Sequence, residues 1–218
     1  MLDVNPSAKI ATVVADLGRA LEAGDVEAAL ALFQADCHWR DLVSFTWNLR
    51  TMEGKDQIRD MLTSQLAAIR PTAFADDFGA GASHVGGVTE GWFSFETELS
   101  RGYGHIRLKN GLIWTLLTTM SELKGHEEPK GFRRPKGAEH GHDRNRKTWT
   151  EKREEEAATL GYSVQPYVLI IGGGQGGIGL GARLRQLGVP TLIVEKNPRP
   201  GDSWRNRYKS LCLHDPVW

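Results

Sequence analysis

The residues with the plainest chemical use are three glycines. Gly172, Gly174 and Gly177 satisfy the spacing G-x-G-x-x-G, and they directly follow the apolar, branched run Val168 to Ile171. The first glycine permits a tight turn from a strand into a helix, the second lets the main chain approach a pyrophosphate, and the third lets the helix pack closely on the strand. The helix after the loop offers free N–H groups and the positive end of its dipole to the same anion. Gly173, Gln175 and Gly176 complete the loop. Glu195 stands 18 residues beyond Gly177, where a carboxylate can accept hydrogen bonds from ribose hydroxyls and disfavours a 2′-phosphate. The expected ligand is FAD or NAD(H), not NADPH.

Such a loop needs a strand, a helix and a second strand to hold it. IGLGARLRQLG continues as a helix that stops at Gly188, and Pro190 leads into TLIVE, a second apolar strand that ends at Glu195. Short apolar runs of this kind suit parallel strands buried on both faces. Upstream, Ile10, Val13, Val14, Leu17 and Leu21 recur at helical steps over residues 7–23, with Ser7 placed as N-cap. Gly24 ends that helix and Asp25 caps a second, VEAALALF. DCHWRDLVSFTW has the β-branched and aromatic composition of a strand. GKDQIRDMLTSQLAAI reads as a helix ending before Pro71, because the residue ahead of proline avoids helical angles. Residues 88–99 and 105–123 read as strands, with Asn110-Gly111 as a hairpin turn.

Composition sets the bounds. The 218 residues, 40% hydrophobic, suffice for a core, and 27 basic residues balance 27 acidic ones, so no net field argues for nucleic acid or an anionic membrane. Cys37 and Cys212 are far apart and form no CxxC pair, which fits a reducing compartment. No apolar run approaches the about 20 residues of a membrane-spanning helix, and the start lacks a signal-peptide pattern. A cytoplasmic protein is expected. The division is an α+β domain over 1–124, a basic linker and charged helix over 125–164, and the opening of a nucleotide-binding domain over 165–218.

Element order, and the ALFQADCHWRD segment after the first helix pair, resemble the NTF2-like (SnoaL-like) family across roughly residues 8–124. That likeness implies an α+β cone, a curved sheet wrapped around helices, and allows a homodimer through this domain. The stretch NPRPGDSWRNRYKSLCLHDPVW resembles the segment after the first nucleotide unit in flavin-containing monooxygenases of the Baeyer-Villiger and YUCCA-like group. Gly201, Ser203 and Trp204 match the family's G-x-x-W element, and Tyr208 to His214 match Y-x-x-L-x-L-H; Asp202 replaces the second glycine common in the family's G-G-x-W. The resemblance covers about residues 165–218. It implies the start of an α/β Rossmann-type FAD-binding domain, truncated here, in which Gly172 to Gly177 hold the FAD pyrophosphate, Glu195 the adenosine ribose, and Ser203 with Trp204 the region near the flavin. Trp204 also reads as a loop tryptophan packed on a sheet edge.

For activity, the resemblance implies an NAD(P)H- and O2-dependent monooxygenase acting on a small organic substrate. NADPH would bind a second glycine motif in the full-length parent. That motif and the chain closing over the flavin would lie after Trp218, so the expectation is an N-terminal portion that is not catalytic by itself and carries no catalytic residue. The alternative reading is a non-catalytic NTF2-like binding or dimerisation module trailing a vestigial nucleotide-binding remnant.

Other candidates are less specific. His140 and His142 lie in a basic linker that reads as solvated charge rather than a metal site. Trp39, Arg40, Asp41, Trp47, Trp92 and Trp114 could line a pocket in the cone, though aromatics and polar residues at such positions more often belong to the core. Asp41 paired with His38 or His105 would be the acid-base pair of a hydrolase or isomerase.

Overall fold

The computed structural model describes residues 5–76, 81–134, 145–199 and 201–207. The chain divides into two compact units, Met1–Pro129 and Lys130–Trp218. Tyr208 to His214, His140, His142 and Cys212 lie outside the described residues.

In the first unit, helix α1 (Pro6–Glu22) begins one residue earlier than the sequence pattern predicts. Asn5 is the N-cap, its side chain accepting from the Ser7 N–H at 3.0 Å, with Pro6 in the first turn where its missing N–H costs nothing. Asp25 caps α2 (Val26–Ala31) through the Ala28 N–H at 2.9 Å. Strands β1 (Phe33–Leu42) and β2 (Leu49–Glu53) precede α3 (Gly54–Ile69), whose C-cap Arg70 takes a left-handed conformation ahead of Pro71. Strands β3 (Thr72–Ala75), β4 (Ser83–Val85), β5 (Val88–Glu96), β6 (Ser100–Lys109) and β7 (Leu112–Leu123) complete the unit.

The seven strands form one sheet in the order β2-β1-β7-β6-β5-β3, with β4 also paired to β5. β1 runs parallel to β7, and the other pairs are antiparallel. Burial alternates strictly along β5 and β6, so one face of the sheet is covered and the other is half open. Glycines make the covered face possible. Phe93 sits opposite Gly104 and Phe95 opposite Gly102, and a Cβ on Gly104 would fall 2.2 Å from the Phe93 ring and 2.4 Å from the Leu117 carbonyl oxygen. The far ends of both rings therefore rest against bare backbone. Phe33, Trp39, Phe45, Phe93 and Phe95 join Ile10, Leu17 and Leu21 of α1 and Ile58 and Leu62 of α3 in one core.

In the second unit, Thr148 and Glu151 form a capping box at the start of α4 (Trp149–Thr159), an exposed and largely charged helix. Strand β8 (Val168–Ile171), helix α5 (Gln175–Gln186) and strand β9 (Thr191–Val194) form a parallel strand–helix–strand unit, and the short α6 (Asp202–Arg205) comes after it. Among the described residues no helix is long and apolar enough to cross a membrane.

Candidate functional site

The glycine loop lies between β8 and α5, and the structure constrains its glycines unequally. Gly172 turns the chain out of β8 with φ of 105°, a left-handed value that side chains resist, while its N–H keeps the sheet bond to the Val194 carbonyl at 2.8 Å. Gly177 is fixed by contact: a Cβ there would lie 1.9 Å from the Gly172 carbonyl oxygen and 3.3 Å from Ile170. Gly174 is the opposite case. It is the N-cap of α5, in extended backbone open to any residue, with no side-chain cap, and a Cβ there meets nothing within 4 Å. The chain thus tolerates a side chain where a ligand would have to approach. Gly176 also faces open space, and Gln175 is exposed.

A further constrained glycine escapes the three-glycine spacing. A Cβ on Gly181, one turn after Gly177, would sit 2.6 Å from Ile193 Cδ1, so Gly177 and Gly181 together let α5 lie close against β8 and β9. The periodicity of four along the helix is the signal that could have marked it.

Glu195 is brought to the loop. Its Oε2 accepts the Gly173 N–H at 2.5 Å, and its Oε1 accepts the Asn197 backbone N–H at 2.9 Å and the Asn197 Nδ2–H at 2.6 Å. The N–H groups of Asn197 and Gly173 hold the carboxyl below the usual glutamate range, so it is an anion and an acceptor at neutral pH. A carboxylate therefore stands beside an uncapped helix N-terminus, as an acceptor for hydroxyls next to a cradle for an anion.

Ser203 and Trp204 lie on α6, the first exposed and the second half-buried. Gly201 carries the left-handed backbone there (φ 82°). Asp202, in place of a second glycine, is a buried helix residue held by Arg205 at 2.8 Å and Arg199 at 3.2 Å.

The first unit does not assemble the acid-base pair. Asp41 is fully buried and accepts from Phe45 N–H, Thr46 N–H, Thr46 Oγ1–H and Thr118 Oγ1–H at 2.7–3.0 Å. Thr118 in turn accepts from Trp39 Nε1 at 2.9 Å. Asp41 is thus a satisfied core residue that staples the β1–β2 turn to β7. His38 is three residues away on the same strand and points to the opposite face. His105 pairs across β7 with Leu117 in the row of Arg40, one row from Asp41 and on the other face. His105 packs instead on Trp92, ring centroids 4.6 Å apart, and burial pushes its imidazole below the usual range. Trp39 is core, Trp47 is 53% exposed, and Trp114 lies under Lys109 and Arg107 on the half-open face. Among the described residues, no three His, Cys, Asp or Glu side chains cluster to hold a metal.

No family model matches the chain. A stretch of 51 residues is 49% identical to an uncharacterised CzcO-like oxidoreductase of Geobacillus kaustophilus (strain HTA426), covering 23% of this chain and 15% of that protein. A stretch of 45 residues is 42% identical to the uncharacterised oxidoreductase CzcO of Bacillus subtilis (strain 168), covering 21% of this chain and 13% of that one. The chain therefore matches only a small part of the length of these relatives. Among solved structures, an NTF2-like protein of unknown function from Cytophaga hutchinsonii ATCC 33406 is similar at 14% identity and a TM-score of 0.34, covering 50% of this chain and 87% of that one.

Proposed function

We propose that the strand–helix–strand unit around Gly172 to Gly177 binds the pyrophosphate of FAD, and that the chain is the FAD-binding portion of an NAD(P)H- and O2-dependent flavin monooxygenase oxygenating a small organic substrate. The single observation that carries this reading is the contrast within the loop. Gly177 is closed to a Cβ by the chain's own backbone, whereas Gly174, the N-cap of α5, leaves bare main chain open to an approaching phosphate. The residues fit the group: bare backbone at Gly174, uncapped N–H groups at the start of α5, and an ionised acceptor at Glu195.

In this reading the α5 N-terminus neutralises the pyrophosphate charge, and Gly174 lets the phosphates approach the main chain. Glu195 accepts from the ribose and repels a 2′-phosphate, which favours FAD over NADPH at this site. Ser203 and Trp204 would line the region near the flavin, as the resemblance of the Gly201-x-x-Trp204 element implies. Bound flavin supplies the redox chemistry with dioxygen, and the protein's part is to bind, orient and exclude water. The short likeness to oxidoreductases supports the class, and the monooxygenase assignment rests on the Gly201-x-x-Trp204 element.

The test is a visible absorption spectrum and an FAD fluorescence-quenching titration on the purified chain beside Gly174→Asp. Because position 174 has extended backbone and free space, the variant folds and changes only what the loop admits. Saturable quenching lost in the variant supports the reading; equal binding by both proteins, or by neither, contradicts it.

A further inference from the structure

Glu195 has almost no acceptor capacity left for the ligand it is expected to hold. A carboxylate offers about four lone-pair sites, and three are taken by N–H donors: Gly173 backbone, Asn197 backbone and Asn197 Nδ2. A ribose with two vicinal hydroxyls needs two of those sites. One donor has to leave before the sugar can be gripped by both hydroxyls.

The three donors are not equally free to leave. The Gly173 N–H is fixed by the loop, whose neighbours Gly172 and Gly174 are tied to β9 and α5 through the bonds to Val194 and from Ile178. The Asn197 N–H is fixed by the turn after β9. The Asn197 side-chain amide hangs on two rotatable bonds on a half-buried residue, and its nitrogen faces the carboxylate because its oxygen would be repelled there. At 2.6 Å, it makes a bond to Glu195 of the kind a hydroxyl would make.

We propose that the Asn197 side chain is a built-in stand-in for one ribose hydroxyl: it holds the Glu195 carboxylate in its accepting orientation in the free protein and swings away when the ribose arrives. This rests on the FAD reading above. Asn197 is then a positioning residue that lowers affinity for a 2′,3′-diol while keeping the empty site ordered. The lowered Glu195 pKa fits a carboxylate already saturated by donors.

The consequence is a selective effect. Removing the amide leaves both backbone donors and two acceptor sites, enough for a diol. A ribose lacking one hydroxyl needs a single site, which the intact protein already has, so it gains nothing from the change.

The experiment titrates FAD, ADP and 2′-deoxy-ADP onto the full chain and onto Asn197→Ala, by fluorescence quenching for FAD and calorimetry for the others. The expected result is about fivefold tighter binding of FAD and ADP by Asn197→Ala, the worth of roughly one net hydrogen bond, with 2′-deoxy-ADP binding unchanged. Unchanged or weaker FAD and ADP binding by the variant, with the parent chain binding FAD, overturns the stand-in and leaves the FAD site standing. Tightening of all three ligands alike also overturns it, since that would be a general opening of the loop. Absence of FAD and ADP binding in both proteins removes the FAD reading and the stand-in together.

Discussion

In the first unit Phe33, Trp39, Phe45, Phe93 and Phe95 are all fully buried, while in the second Leu169, Ile171 and Val194 stand 55%, 85% and 42% exposed on strands just as apolar. Among the described residues of the second unit, Ile170 is the one buried hydrophobic side chain. Parallel strands rich in branched residues are suited to burial on both faces. Here α5 covers one face through Gly177 and Gly181. The first unit is organised by its core, and its polar residues, Asp41 above all, serve that core. The second is organised around a loop, and its constrained residues are glycines. Packing dominates in one, and backbone access in the other.

Changes in the two units should therefore break different things. The largest expected effect is Trp39→Ala, which empties the centre of the aromatic cluster and removes the donor to Thr118. Thermal or urea unfolding of the first unit should show a loss of about 3–5 kcal/mol, with FAD binding by the second unit unaltered.

Next comes a pair of opposite sign on one helix. Gly177→Ala forces a methyl against the Gly172 carbonyl oxygen and should destabilise the second unit by about 1–3 kcal/mol, as overpacking does, and abolish FAD binding. Gly179→Ala meets nothing within 4 Å in the same helix and should stabilise it by about 0.5–1 kcal/mol. Hydrogen exchange of the α5 amides reads both. Equal effects would mean that the close approach of α5 to β8 is not the constraint described.

The smallest effect is electrostatic. The Arg101 guanidinium holds the Glu127 carboxyl down to about 2. A carboxyl lowered on folding adds stability that is fully present above its unfolded pKa and disappears as pH falls through the folded one. The pair should thus contribute above pH 4.5 and lose that contribution toward pH 2. Both groups are exposed, so the contribution is small and screened by salt. In acid unfolding, Arg101→Ala should flatten that part of the profile at low ionic strength and change little at high salt.

The glycine loop was legible in the sequence because its constraints are local: a turn needing positive φ at Gly172 and a helix start seven residues after the strand begins. The helices of the first unit were legible from their apolar period, though Asn5 rather than Ser7 caps the first, since Pro6 already fits the first turn. The pairing of β1 with β7 was not, because parallel register between strands so far apart leaves no mark on either. β2 was missed because Leu-Arg-Thr-Met-Glu buries only Met52. Asp41 and His38 looked like partners by proximity in sequence, and the two-residue period of a strand puts them on opposite faces. Gly181 is explained by Ile193, a contact made across the folded unit beyond its four-residue spacing from Gly177, and Asn197 by a bond to Glu195 two residues away that depends on the turn after β9.

The most direct measurement is an FAD titration of the unmodified chain, Gly174→Asp and Gly179→Ala side by side. Gly174 and Gly179 both face open space in the free protein, but only the first lies in the loop. Saturable FAD binding retained by Gly179→Ala and lost in Gly174→Asp is the predicted result. Binding by all three proteins, or by none, would contradict the assignment of the loop as the pyrophosphate site.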